Sequence, residues 1–234
     1  MYFPLGRDGE WDYVAATMKM LSAKAKIRGL TLLEVLAVLA VIIVLAAVLL
    51  PNLARSGKAQ IPWCMNNLKQ IDVGFLMYLA DNHEKFPMQF SVTNGGTMEF
   101  IRNGNAFPHI QKVCGYFGHY TQILVCPSDV ERHVATNFET LNDMNISYFL
   151  NADVSTNNPS YSILAGDRNL EAVNQPVKPG LFILTTNIYM RWTDDLHKGR
   201  GCLSFADGHS QLVSTNLNSI IRSQPLATNR LCVP

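Results

Sequence analysis

From Leu30 to Leu50 the chain is apolar on every face, and only Thr31 and Glu34 interrupt the run. Such a segment is long enough for the ~20 residues that a bilayer-spanning helix needs. The pattern then changes. Ile61, Met65, Leu68, Ile71, Phe75, Tyr78 and Leu79 recur at steps of three and four, which predicts one apolar face of a helix with Asp72 turned to the opposite side. Pro62 lacks the N–H that an interior turn uses, so a kink or break is expected near Ala59–Ile61. Residues 86–146 are rich in Asn, Gly, Pro and Thr and read as loops and turns, with a helix around Phe107–Tyr120. Ile146–Leu150, Tyr161–Ala165, Leu181–Thr185, Gly201–Ala206 and Ser210–Val213 are short, apolar or alternating, and bounded by turn residues, so they are predicted strands. The last two form the clearest hairpin, joined by Asp207-Gly208-His209, with Leu203, Phe205, Leu212 and Val213 toward the core. These elements predict an α+β fold: a long N-terminal helix, its first half membrane-spanning, packed by its second half on a small antiparallel β-sheet.

Composition adds little to this picture and charge adds direction. The 234 residues leave room for one domain beyond the apolar run. A net charge of +1 does not suggest a nucleic-acid partner held through its phosphates. Lys19, Lys24, Lys26 and Arg28 precede the apolar run, which favours the cytoplasm for that flank and an extracytoplasmic place for the C-terminal part; Arg55 and Lys58 weaken the bias without reversing it. The first 18 residues read as an ordinary leader or a misassigned start.

Glu34 is the residue that the apolar run must explain. A carboxylate there costs roughly 2.5–3.5 kcal/mol on insertion scales and calls for a cation. Cleavage between Gly29 and Leu30 would supply one, because the new α-amino group of a neighbouring copy would lie at the same depth. This stretch resembles the N-terminus of type IV pilins and type II secretion pseudopilins. The resemblance implies a prepilin peptidase that cuts after Gly29 and N-methylates Leu30, with Glu34 as the fifth mature residue and an assembly residue, and Pro51 where pilin helices commonly carry a proline. Leu30 departs from the more usual phenylalanine or methionine. The plainer readings are an uncleaved signal anchor or a removed signal peptide, but a secretory core is ~7–15 residues and is followed by a small-residue site.

Further landmarks extend the resemblance to one pilin-like group. They are the C-x-x-N-L-K-Q-I helix at Cys64–Ile71, its end at Asp81-Asn82-His83, the C-P-S-D at Cys126–Asp129, and an H-x9-DG segment formed by His197, Asp207 and Gly208. The domains implied are a leader, 1–29; a long helix, 30–82, with its anchor at 30–51; and an extracytoplasmic α+β domain, 83–234, containing the H-x9-DG region at 197–208.

The remaining chemistry is sparse. Of the five cysteines, Cys114 and Cys126 flank a segment that could close a small loop, and no spacing is the C-x-x-C of a zinc ribbon. His197, Asp207 and His209 offer imidazole and carboxylate to a metal, but Asp-Gly already has a sufficient reason in the hairpin turn, with His197 expected beside it as a structural partner. No cofactor is predicted; calcium is the ion that Asp167, Asp194, Asp195 and Asp207 would suit, although their spacing matches no known loop. A hydrolase would need Cys126 or a serine with His197 and Asp207, and none of the common hydrolase, zincin, phosphate-loop or dinucleotide motifs is present. The expected function is therefore non-enzymatic: a structural subunit of a type II secretion pseudopilus or type IV pilus-like filament, single-pass in the bacterial inner membrane before assembly. Its partners would be prepilin peptidase, other pilin subunits and the secretion machinery. The alternative is a membrane-anchored binding or adhesion module that uses the same export route without polymerising.

Overall fold

A computed structural model describes residues 31–53, 56–118, 120–214 and 216–234. The chain divides into two units, residues 1–54 and 55–234. The first contains helix α1 (Leu32–Leu53). Among its described residues the second opens with helix α2 (Ser56–Asp81) and continues through short 3-10 turns, helix α3 (Phe107–Val113), nine strands and helix α4 (Leu217–Arg222).

The expected stripe of α2 is seen: Ile61, Leu68, Ile71, Phe75 and Tyr78 are buried, and Met65 and Leu79 pack at its edge. The expected break at Pro62 is not seen, since α2 runs through it. Pro62 stands between Ile61 and Cys64, both buried, and that packing offsets the ~3 kcal/mol an interior proline costs. Past Asp81 the chain turns sharply, with His83 and Glu84 both at φ 56° and the Glu84 N–H donating to the Leu79 carbonyl at 3.0 Å.

The nine strands are β1 (Tyr148–Asn151), β2 (Ile163–Asp167), β3 (Leu170–Ala172), β4 (Gln175–Pro176), β5 (Gly180–Thr185), β6 (Met190–Trp192), β7 (Gly201–Phe205), β8 (Ser210–Val213) and β9 (Thr228–Val233). Six form one sheet in the order β5-β9-β1-β2-β7-β8, every pair antiparallel, and β4-β3-β6 form a second. One face of the large sheet, through Tyr148, Leu150, Leu164 and Cys202, shares a core with the α2 stripe. The other face, through Phe149, Ile163, Leu203, Phe205 and Leu231, packs with Leu170 and Trp192 of the second sheet and Leu217 and Ile221 of α4.

The fold is a sheet-rich α+β, but the expected arrangement of a long half-membrane helix on a small sheet is not seen. No single long N-terminal helix is seen, because α1 and α2 are separate elements in separate units. Among the described residues no helix is long and apolar enough to cross a membrane. The sheet is not small either: it has six strands and is covered on both faces. The physical reason lies in the change of pattern after Pro51. An all-round apolar segment and a one-faced amphipathic one have different burial requirements, and only the second can be satisfied by one face of a sheet.

Candidate functional site

Beneath α2 lies a sealed cluster of sulfur, imidazole and carboxylate. Cys64, one turn past Ile61 on the buried face of α2, is bonded to Cys126 in a disulfide that spans 62 positions of sequence. Cys126 is seated by its own backbone N–H, which donates to the Ser147 hydroxyl at 3.0 Å. The Nε2 of His197 lies 3.4 Å from the Cys126 sulfur and 3.4 Å from Oδ2 of Asp167, the last residue of β2. That same Oδ2 accepts the Cys202 N–H at 2.6 Å, while Oδ1 is buried with no hydrogen-bond partner among the described residues. Cys64, Cys126, Ser147, Asp167, His197 and Cys202 are all buried.

The loop that presents His197 is held at its mouth by Asn169. Its side-chain amide N–H donates to the carbonyls of Thr193 at 3.0 Å and Arg200 at 3.2 Å, and its backbone carbonyl accepts the Thr193 N–H at 2.9 Å. Lys198 and Gly199 take φ of 54° and 74° to turn the chain back into β7. Burial pushes the Asp167 carboxyl up to about 7 and the His197 imidazole below its usual range, with Arg200 adding to the latter. Burial thus works against the charge on both partners and weakens any ion pair across the 3.4 Å that separates them.

The C-P-S-D segment forms the outer wall of the cluster. Asp129 N–H donates to the Cys126 carbonyl at 2.8 Å, closing the turn, and Arg168 clasps the Asp129 carboxylate through Nε and Nη2, each at 2.8 Å. Burial alone would raise the Asp129 acid, but Arg168 and the Ser147 hydroxyl hold it below its ordinary value.

The H-x9-DG residues separate. His197 lies beside the start of β7, whereas Asp207-Gly208 follow its end, and the intervening strand at about 3.3 Å per residue spaces them by more than 10 Å. His197 beside the turn is thus replaced by His197 beside a disulfide. The turn itself is a three-residue loop, Ala206-Asp207-Gly208, with Gly208 N–H donating to the Phe205 carbonyl and Phe205 N–H to the His209 carbonyl. Gly208 alone takes the left-handed conformation, φ 83°, as a glycine bulge requires. Asp207 caps the His209 N–H at 3.1 Å, and the His209 ring stacks on Phe205.

Asp194, Asp195 and Asp207, the other carboxylates considered for calcium, are exposed, whereas Asp167 is buried. Nor does Asp207 join Cys126 and His197; Asp167 does, and the Cys126 sulfur is occupied by Cys64. Cys114 is free, so the small loop it would close with Cys126 is not formed.

Gly29 and Leu30 lie outside the described residues. Glu34 has a local role that its apolar setting concealed. Its carboxylate accepts the Thr31 N–H at 2.9 Å and hydroxyl at 3.0 Å, and the Thr31 hydroxyl accepts the Glu34 N–H at 3.3 Å. This is a reciprocal capping box, and Thr31-x-x-Glu34 is its sequence signature.

No protein-family model, curated protein or solved structure matches the chain.

Proposed function

We propose that the chain is a non-catalytic structural subunit of a pilus-like or secretion-pseudopilus-like filament, cleaved after Gly29 at the inner membrane and assembled through its apolar N-terminal segment. The observation that carries this reading is the surface of α1. From Leu32, 82 % exposed, to Leu45, 54 % exposed, every large apolar side chain stands open. Contiguous apolar surface on that scale marks an interaction or membrane site. Copies of the same helix are the covering with matching chemistry, and a head-to-tail contact that does not close on itself gives a helical filament. The second unit, with a six-stranded sheet covered on both faces and its catalytic-looking residues sealed inside, suits a rigid outer body.

The capping box dictates how the reading is tested. Glu34→Leu removes a charge and a helix cap together, whereas Glu34→Gln removes the charge and keeps the cap, since glutamine fills that position equally. Crosslinking in intact cells should show multimer ladders for wild type and their loss in both variants, with the mature protein starting at Leu30 by mass spectrometry in all three. Ladders preserved in Glu34→Gln would remove the assembly role of the carboxylate. An absence of ladders in wild type would favour a monomeric anchored module.

A further inference from the structure

We infer that the Cys64–Cys126–His197–Asp167 cluster is a masked transition-metal site of the zinc class, presented by the reduced chain and withdrawn by the disulfide. The inference stands apart from filament assembly, because every residue in it belongs to the second unit.

The donor atoms form two overlapping groups that share His197, so the four ligands meet once the sulfurs part and the Asp167 carboxylate closes on them. The ligand atoms of Cys64, Cys126 and His197 lie within 4.8 Å of one another, as do those of Asp167, His197 and Cys202. His197 Nε2 belongs to both groups and is 3.4 Å from the Cys126 sulfur and 3.4 Å from Asp167 Oδ2. A tetrahedral zinc ion, with Zn–S of about 2.3 Å and Zn–N or Zn–O of about 2.0–2.1 Å, sets neighbouring N and S ligands roughly 3.6 Å apart and N and O roughly 3.4 Å apart. Both separations are met before any ion enters. Two thiolates and an imidazole select a borderline or soft cation over calcium or magnesium.

The surroundings are also those of a ligand set. Asp167 Oδ1 is an orphaned acceptor in a buried position, and such atoms call for an explanation. Cys202 N–H holds the other oxygen, and Asn169 fixes the loop that carries His197. Such outer contacts orient metal ligands.

The two states exclude each other. A disulfide sulfur offers no thiolate, so the oxidised chain cannot supply two of the four ligands. A dithiol reductant gives two electrons and two protons to the Cys64–Cys126 bond and leaves as its own disulfide. The two thiols then release their protons to solvent as the ion binds. Loss of the ion, followed by exchange with a disulfide oxidant that takes up the two electrons and two protons and leaves as a dithiol, reverses both steps. In this scheme the chain carries a metal before it reaches an oxidising compartment and a covalent staple afterwards.

The test uses the purified full-length chain in detergent, reduced with a dithiol, freed of it without oxygen, and titrated with cobalt(II) alone and then zinc(II). The reduced chain should take up one equivalent of cobalt, with the visible bands of tetrahedral thiolate coordination, and zinc should bleach them; the oxidised chain should give no bands. His197→Gln and Asp167→Asn should each weaken cobalt binding at least tenfold, whereas Cys114→Ser and Cys232→Ser should leave it unchanged. Circular dichroism of each variant reports folding independently of the metal. No uptake by the reduced chain, equal uptake by the oxidised chain, or an unchanged affinity in His197→Gln would each overturn the site. The last outcome would also identify binding by an unfolded chain through its cysteines alone.

Discussion

Asp72 on α2 accepts a hydrogen bond from the Ser204 hydroxyl on β7 at 2.8 Å, joining helix and sheet across 132 positions of sequence. The Ser210 hydroxyl on β8 approaches its other oxygen at 3.5 Å. The carboxyl is fully buried, and burial pushes it up to about 8, a rise that the two hydroxyls only partly offset and that Asp207 reinforces. The folded chain therefore binds this proton more tightly than the unfolded chain, where an aspartate titrates near 3.9. Stability from this group is fully present below about pH 4 and is lost as pH rises through the window to about 8, on the order of a few kcal/mol. Asp72→Asn should flatten that slope. Urea midpoints at pH 5 and pH 8.5 check it, and an equal decline in wild type and variant would assign the slope to other groups.

The Cys64–Cys126 disulfide closes a loop of 62 positions, and chain entropy for such a loop is worth about 4 kcal/mol. Opening it without metal, by Cys64→Ser with Cys126→Ser, should lower the melting temperature by about 10 °C at this domain size. Calorimetry of the oxidised protein and the double variant measures the difference. A change of less than about 2 °C would mean that the unfolded chain is already constrained elsewhere.

Much of this architecture can be read from the amino-acid pattern, and what cannot has identifiable causes. The α2 stripe announces itself because a three-four repeat survives any partner. Five strands, among them the β7–β8 hairpin, are visible as short apolar pieces between turn residues. β3, β4 and β6 are only two or three residues long, too short for a period, and β9 lies centrally in the sheet although Thr228-Asn229-Arg230 begins it with polar residues. Asp72 reads as a solvated residue because periodicity cannot foresee serines arriving from another element. In the site, His197 and Asp207-Gly208 look like neighbours in sequence, yet the residues between them include all of β7 and so hold them apart. The Cys64–Cys126 pairing was hidden by its separation. Asp167, weighed only as a calcium ligand, and Asn169 left no signal at all. The Thr31–Glu34 capping box was legible and was masked by the apolar run around it.

Gly208 should be the least replaceable residue of the β7–β8 turn. Its φ of 83° is costly for a side chain with a Cβ, and an added Cβ would meet Leu76 of α2 at 3.0 Å. Gly208→Val should lose about 2 kcal/mol, and Gly208→Asn less, because asparagine tolerates the left-handed region. Denaturation of the two variants ranks them; equal losses would place the cost in the Leu76 contact rather than in the backbone.

The Arg168–Asp129 pair should behave in the opposite sense to Asp72. Asp129 has no exposed side-chain surface, and Arg168 grips it with two nitrogens, each at 2.8 Å. Arg168 also reaches Glu131 at 2.6 Å, but that partner is two-thirds exposed, where an ion pair contributes little. Arg168→Ala would leave the Asp129 charge buried and unpaired, a loss of about 3 kcal/mol. Replacing both partners by apolar residues of similar size, Arg168→Met with Asp129→Leu, should recover most of it, since neither charge then needs a partner. The acid is held below its unfolded value, so its contribution is present above about pH 4 and fades as pH falls through the folded value. The loss in Arg168→Ala should accordingly be full at pH 7 and smaller at pH 3. If the double variant were as unstable as Arg168→Ala, the pair's role would lie in the turn it closes beside Cys126 rather than in compensating a buried charge.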